Sequence, residues 1–465
     1  MFIQKYRGLP PCFVSLPIVA GFLRGSDQAT HSVGDEDLSK MLVACHECDA
    51  IYERNPIASG AKASCTRCDS ELYREINSSL DKSLALYCTT FVLMLVAYSY
   101  PFLIMKTAGI TEENQVFSGA WALYEFGMGE LGLVVLMTSI VFPLIVVVGM
   151  MYLLLPARFG NLPLGHGLVF RIVRAIEPWS LLGVFMLGTL ISVVKLQKLA
   201  TITPGLGIFA FVGMLISYTA ARIYFDPQVL WRLSKVKQLS SSDIEPNTSC
   251  ISCHSCGLIR TSEEDFVDCP RCGAAMHHRL IDSLQRTTAF VMSAIVFLIP
   301  ANIFPVMTVK TLGRGSPDTI ISGVIKLMDG GLWGLALIVL VASVVVPFLK
   351  IVALCYLLLS VHRQSTWRPE DRTRLFRITE VVGAWSMVDV FLVGLLAGLV
   401  KLGLVATIEP GIGATFFAGA VILTMLAAHS FDPRLIWDRA QQTTDRSQSD
   451  SGVKADNKHS SHIQV

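Results

Sequence analysis

Eight of the twelve cysteines stand in four Cys-x-x-Cys pairs: Cys45 and Cys48, Cys65 and Cys68, Cys253 and Cys256, Cys269 and Cys272. Two such pairs a dozen or so residues apart bring four thiolates to one ion, and a tetrahedral four-thiolate shell is the closed geometry of structural zinc. Gly257 and Gly273 follow the second cysteine of each later pair, where a tight knuckle turn favours glycine. Asp49 and Asp69 stand there in the earlier set and tolerate the turn less well. Cys250, three residues before Cys253, leaves a shifted ligand set open. A dithiol switch or an iron site is the alternative chemistry, and no further residues support either. Cys12, Cys88 and Cys355 lie in apolar contexts and read as packing.

A second candidate lies in an apolar stretch, Ala384-Trp385-Ser386-Met387-Val388-Asp389-Val390-Phe391. A carboxylate at bilayer depth is costly and by default marks a functional site. Lys350 is its candidate partner, inside another apolar run and three residues after Pro347. Proline has no N–H for the carbonyl four residues back, here that of Ser343. A freed carbonyl is tolerated in a membrane only where neighbours or water satisfy it. Lys350, Asp389, Ser343 and Ser386 are therefore read as one intramembrane polar site. The bland alternative is a buried salt bridge that only sets helix register.

The elements that must position these groups follow from composition. The 465-residue chain is 52% hydrophobic and 16% charged, with mean hydropathy +0.54. Apolar runs at about 84–105, 131–155, 179–200, 206–224, 288–308, 332–360, 385–404 and 411–430 suit membrane spans. The net charge of +2 sets nucleic acid aside as a partner. No nucleotide-binding loop, nucleophile elbow or zincin signature is present, so an enzyme is not expected.

The chain is duplicated. Pro101, Ser139, Pro143, Trp179-Ser180, Lys195, Thr201-Ile202-x-Pro204-Gly205 and Phe225-Asp226-Pro227 recur as Pro305, Ser343, Pro347, Trp385-Ser386, Lys401, Thr407-Ile408-x-Pro410-Gly411 and Phe431-Asp432-Pro433. Near-constant register identifies two homologous units, and an even number of spans makes them parallel repeats. Val146 and Gly183 stand where the second unit has Lys350 and Asp389, so the halves are unequal. The expected order is an extension (1–44), ribbon 1 (45–78), bundle 1 (79–238), ribbon 2 (250–280), bundle 2 (281–440) and a disordered tail (441–465). The fold class is thus all-α and polytopic, with two four-helix bundles each preceded by a zinc ribbon. Met41 is an expected alternative start, because the motif-bearing sequence begins just after it.

Arginines in the 156–178 and 361–378 loops, against four glutamates and no Lys or Arg in 107–130, place both termini and both ribbons in the cytoplasm. Reduced thiols need the same side. Asp226-Pro227 and Asp432-Pro433 read as helix starts of short interfacial helices carrying Trp231 and Trp437. Lys195 and Lys401 are expected to snorkel at outer helix ends, and Glu177 and Glu380 to lie near the cytoplasmic entrance.

The paired Cys-x-x-Cys motifs, Ser343-x-x-x-Pro347-x-x-Lys350, Trp385-Ser386-Met387-x-Asp389-Val390-Phe391, Lys401 and Phe431-Asp432-Pro433 together resemble the paraquat-inducible protein A family over about residues 45–440. The resemblance implies a bacterial inner-membrane protein that works with a periplasmic MCE-domain tunnel partner. The implied role is to move phospholipid between membranes and maintain the envelope. Gly183 departs from the acidic residue such a family would carry in the first half. The alternatives are a cytoplasm-facing thiol or metal redox sensor, and a membrane anchor without transport activity.

Overall fold

A computed structural model describes residues 14–15, 41–107, 110–196, 201–236, 238–240, 250–261, 267–311, 314–331, 333–399 and 406–438. Cys12, Lys401, the tail, most of the N-terminal extension and the side chain of Lys195 lie outside the described residues.

Among the described residues eight helices are long and apolar enough to cross a bilayer, four in each half. Spans 1–4 are Ser79–Ser99, Gly129–Arg158, His166–Val194 and Leu206–Tyr224. Spans 5–8 are Ser283–Ile303, Trp333–His362, Pro369–Gly398 and Ile412–Ser430. Between spans 1 and 2, at the end of the spans away from the four-cysteine ribbons, comes a short outer helix, Ser118–Glu125, and its equivalent between spans 5 and 6 is Ile320–Asp329.

The outer connections are not simply loops. Leu103–Thr107 pairs antiparallel with Ile110–Asn114 and with Thr201–Pro204. Met307–Thr311 pairs likewise with Arg314–Asp318 and Ala406–Pro410. Each sheet ties span 1 or 5 to the span that follows almost a hundred residues later. The Pro-Gly after each third strand has a steric reason. A Cβ on Gly205 would collide with the Pro101 carbonyl, and one on Gly411 with that of Pro305. Glu409 forms an ion pair with Lys310 at 2.6 Å on this sheet.

Spans 2 and 6 each widen into a π-turn, Met137–Val141 and Val341–Val345, immediately before Pro143 and Pro347. Insertion of a π-turn is one way a helix absorbs a local break. In the first half the Ser139 carbonyl accepts a hydrogen bond from Tyr98 Oη at 3.0 Å. At the matching position of the second half Asn302 turns back on its own helix, donating to the Leu298 carbonyl. Spans 3 and 7 break at 3-10 turns, Glu177–Trp179 and Ala384–Met387.

The halves meet at Phe185 and Phe391, equivalent residues whose rings pack edge to face with centroids 5.6 Å apart. Beside them, span 7 closes on the outer helix of the first half. A Cβ at Gly119 would lie 3.0 Å from the Gly394 carbonyl oxygen, and one at Gly398 would lie 2.9 Å from Gly119 Cα. The Gly394-x-x-x-Gly398 spacing thus brings two backbones into contact, the usual way helices associate in lipid.

The ribbons are exchanged between halves. Arg377 of span 7 donates to the Asp69 and Cys68 carbonyls of ribbon 1, and Arg67 of that ribbon lies over Trp437. Equivalently, Arg171 of span 3 donates to the Gly273 carbonyl of ribbon 2, and Arg271 lies over Trp231. Ribbon 1 shares an apolar cluster with Phe376, Phe431 and Trp437, and ribbon 2 packs with Phe170 and Trp231. Each ribbon therefore caps the other half's bundle. This corrects the reading of the two short tryptophan segments as interfacial helices. The caps are as expected, with Asp226 and Asp432 accepting from the Gln228 and Arg434 N–H groups. The tryptophans, however, are buried at 3% and 4% exposure beneath the ribbons.

The glycine contact predicts unequal outcomes at equivalent positions. Gly119→Leu must push two backbones apart and is expected to destabilise by roughly 1–3 kcal/mol. A Cβ at Gly323 meets nothing within 4 Å, and Gly323→Leu is expected to leave thermal unfolding in detergent unchanged.

Candidate functional site

The thiols converge as two separate quartets, Cys45, Cys48, Cys65 and Cys68, and Cys253, Cys256, Cys269 and Cys272, with the sulfurs of each within 4.8 Å of one another. Cys250 lies in the strand Cys250–Ser252, outside the second quartet. Close Sγ–Sγ distances are 3.4 and 3.5 Å in the first set and 3.6 and 3.5 Å in the second. A zinc–sulfur bond of about 2.3 Å sets tetrahedral edges of about 3.8 Å, so both quartets fit a metal ion with slight expansion. The knuckles form alike in both. Asp49 and Asp69 adopt the left-handed backbone (φ 62° and 60°), as do Gly257 and Gly273 (φ 71° and 69°). Asp49 N–H and Gly257 N–H donate to the Cys45 and Cys253 carbonyls.

Hydrogen bonds among the thiols divide each quartet, lowering two members and raising Cys48 and Cys68 in the first and Cys256 and Cys272 in the second. Hydrogen bonds from the neighbouring thiols, Cys45 first, hold Cys65 below the usual thiol range, and the Cys256 thiol leads in bringing Cys253 to about 7. Tyr52 Oη sits 3.2 Å from Cys65 Sγ and Ser70 Oγ 2.9 Å from Cys45 Sγ. Such outer partners orient metal ligands.

Between the ribbons, Asp49 receives Arg279 at 2.7 Å and Arg434 at 3.3 Å, and Arg279 also reaches Asp438 at 2.6 Å. Burial works to raise the Asp49 carboxyl, and Arg434 and Arg279 overcome it and hold it low. Burial, reinforced by Arg434, lowers His46 to about 4 and His254 to about 3. Because the ribbons touch, they lie on one side of the spans.

Ser343 and Ser386 fall on two irregular turns that touch each other, the π-turn of span 6 and the 3-10 turn of span 7, and Lys350 and Asp389 lie on the α-helical stretches that follow. Lys350, Ser343, Ser386 and Asp389 are all buried. Ser343 Oγ donates to the Val339 carbonyl, and Ser386 Oγ to that of Gly383. Lys350 packs on Gly383, where an added Cβ would stand 2.5 Å from Nζ. Glu177, which occupies the position equivalent to Gly383, pairs instead with Arg222 at 2.6 Å.

Asp389 faces elsewhere. It lines a cleft walled by the outer helix of the second half and spans 6, 7 and 8, about 610 Å³ when the space open to its surroundings is counted, with Gly323, Val339, Ala414 and Phe417 among its lining. Lys350 does not line this cleft. The cleft residues Val306, Ala414 and Gly323 were missed in reading the sequence, although the repeat held a signal for two of them. Phe102 and Ile208 stand where the second half has Val306 and Ala414. The Phe102 ring fills the first half, 6.0 Å from Phe185 and 5.4 Å from Phe211.

The fold and its site define a polytopic membrane protein built from two unequal copies of one unit, capped by exchanged four-thiol ribbons. Residues 80–235 and 284–441 match the family described as Paraquat-inducible protein A, and the chain belongs to that family. It is 31% identical over 409 residues to the Lipophilic envelope-spanning tunnel protein A of Escherichia coli (strain K12), covering 88% of this chain and 93% of that protein. It is 29% identical over 411 residues to the Intermembrane transport protein PqiA of the same organism, covering 86% and 96%. A Probable intermembrane transport protein of Haemophilus influenzae is 28% identical over 400 residues, covering 85% and 95%. No solved structure matches the chain.

Two measurements test the ribbons. Metal analysis of the purified protein should find about two ions per chain, falling by one in Cys65→Ser and by one in Cys269→Ser, with Cys250→Ser unchanged. Asp49→Ala strands the buried Arg434 and should lower stability by roughly 3 kcal/mol, measured by thermal unfolding.

Proposed function

We propose that this chain is the inner-membrane subunit of an intermembrane lipid transport system, loading or extracting phospholipid for a periplasmic MCE-domain tunnel and so maintaining the envelope. Membership of the family and relatives named for intermembrane transport and an envelope-spanning tunnel support a transport role over an enzymatic one. The observation that carries the reading is the inequality of the halves. The second has a cleft with a carboxylate in its wall, whereas the equivalent region of the first is filled by Phe102 and has Gly183 for Asp389.

On this reading the second bundle does the work. Protonation of Asp389 couples lipid movement to the proton gradient, and Lys350, Ser343 and Ser386 form the polar path toward the ribbon side. Irregular backbone at membrane depth is tolerated where it serves a cavity or pathway, and the paired π and 3-10 turns stand there. Both termini and ribbons lie in the cytoplasm, as loop charge and reduced thiols favour. Zinc is the metal of the quartets, held by Cys45, Cys48, Cys65 and Cys68 and by Cys253, Cys256, Cys269 and Cys272. Its role is structural, because seven of these eight cysteines are buried and the eighth, Cys256, is partly so.

Asp389→Asn and Lys350→Ala should leave expression and metal content intact and abolish complementation in an envelope-sensitivity assay. Full activity of both variants would sink the mechanism.

A further inference from the structure

We propose that the cleft beside Asp389 binds one acyl chain of a membrane lipid, and that Val306, Ala414 and Gly323 set its size. The inference rests on the lipid-transport reading and narrows it to one site and one part of the lipid.

The wall chemistry selects the ligand. Apart from Asp389 and Thr319, the lining is aliphatic, aromatic or glycine. The Thr319 hydroxyl already accepts the Ser322 N–H as a helix cap. A wall this apolar suits hydrocarbon. An apolar occupant gains dispersion contacts along such a wall.

The duplication shows that the space is written into the sequence. Two positions lose bulk between the halves, Phe102 to Val306 and Ile208 to Ala414. A third keeps its residue and loses its neighbour: Gly119 is covered by Gly394, whereas nothing lies within 4 Å of a Cβ at Gly323. The helix that carries Gly323 also exposes Ile321 and Ile325, at 52% and 51%. One wall of the cleft is therefore a helix with an apolar outer face, which suits direct contact with bilayer hydrocarbon.

The test uses the full chain in vesicles of phosphatidylethanolamine and phosphatidylglycerol doped with a phospholipid carrying a mid-chain diazirine. After irradiation, labelled peptides are mapped by mass spectrometry. Wild type should label Ile320–Leu327 and Val390–Val393 more strongly than the lipid-facing surface at Val92 and Leu95 (59% and 53% exposed). Gly323→Leu, which fills the space without displacing backbone, should lose the cleft label and keep the surface label. Val306→Phe combined with Ala414→Ile, restoring the first-half residues, should do the same. Undiminished cleft labelling in Gly323→Leu, or wild-type cleft labelling no stronger than at the reference surface, overturns the site. Loss of label with full complementation by the same variants supports the site and overturns the transport reading instead.

Discussion

The arrangement of the membrane region depends on one close approach, that of the outer helix Ser118–Glu125 to span 7 at Gly119, Gly394 and Gly398. Lipid supplies no hydrophobic force between helices, so association relies on close packing of small residues. With its glycine face committed to the first half, span 7 turns Asp389 toward the second. The equivalent approach cannot form in the other copy. Gly188, the counterpart of Gly394, is covered by Phe391, and Ser192 stands for Gly398. The outer helix of the second half is left without that seat, and a cleft lies where the seal would be. Two copies of one sequence plan thus differ because they compete for a single central contact.

The second constraint is that backbone polar groups in a bilayer must find partners within the protein. The prolines of spans 2 and 6 remove a donor at the same place in each copy, and both helices answer with a π-turn. Only the first adds a tyrosine hydroxyl on the freed carbonyl. The first half is thus the one whose freed carbonyl is tied by a neighbour and whose interior is plugged. The half that lacks both features is the one with buried Lys350 and Asp389.

Much of this was legible beforehand. Cysteine spacing announced the quartets, hydropathy the eight spans, and the recurring Trp-Ser and Phe-Asp-Pro motifs the duplication. Pro143 announced the free carbonyl that Tyr98 satisfies. What stayed hidden has physical reasons. An exchange of ribbons leaves every residue in place, because Arg171 and Arg377 are equivalent and either pairing reads the same. The sheets join strands almost a hundred residues apart, beyond any local pattern. Lys350 and Asp389 looked like partners because both are charges in apolar runs. The break at Ala384–Met387 instead sets Gly383 against the ammonium and turns Asp389 to the cleft. The cleft itself is written in Phe102 against Val306, a difference of side-chain size that motif spacing does not carry.

The crossed ribbons also dictate an order of construction. Ribbon 1 leaves the ribosome ahead of every span, yet the surface that receives it is built from Phe376, Phe431 and Trp437, near the end of the chain. Domains of most chains settle as they emerge. Here the first piece made is the last to be seated, after the final helix has entered the bilayer. Its docking closes the molecule, so a chain truncated anywhere before Trp437 leaves its first ribbon without a berth.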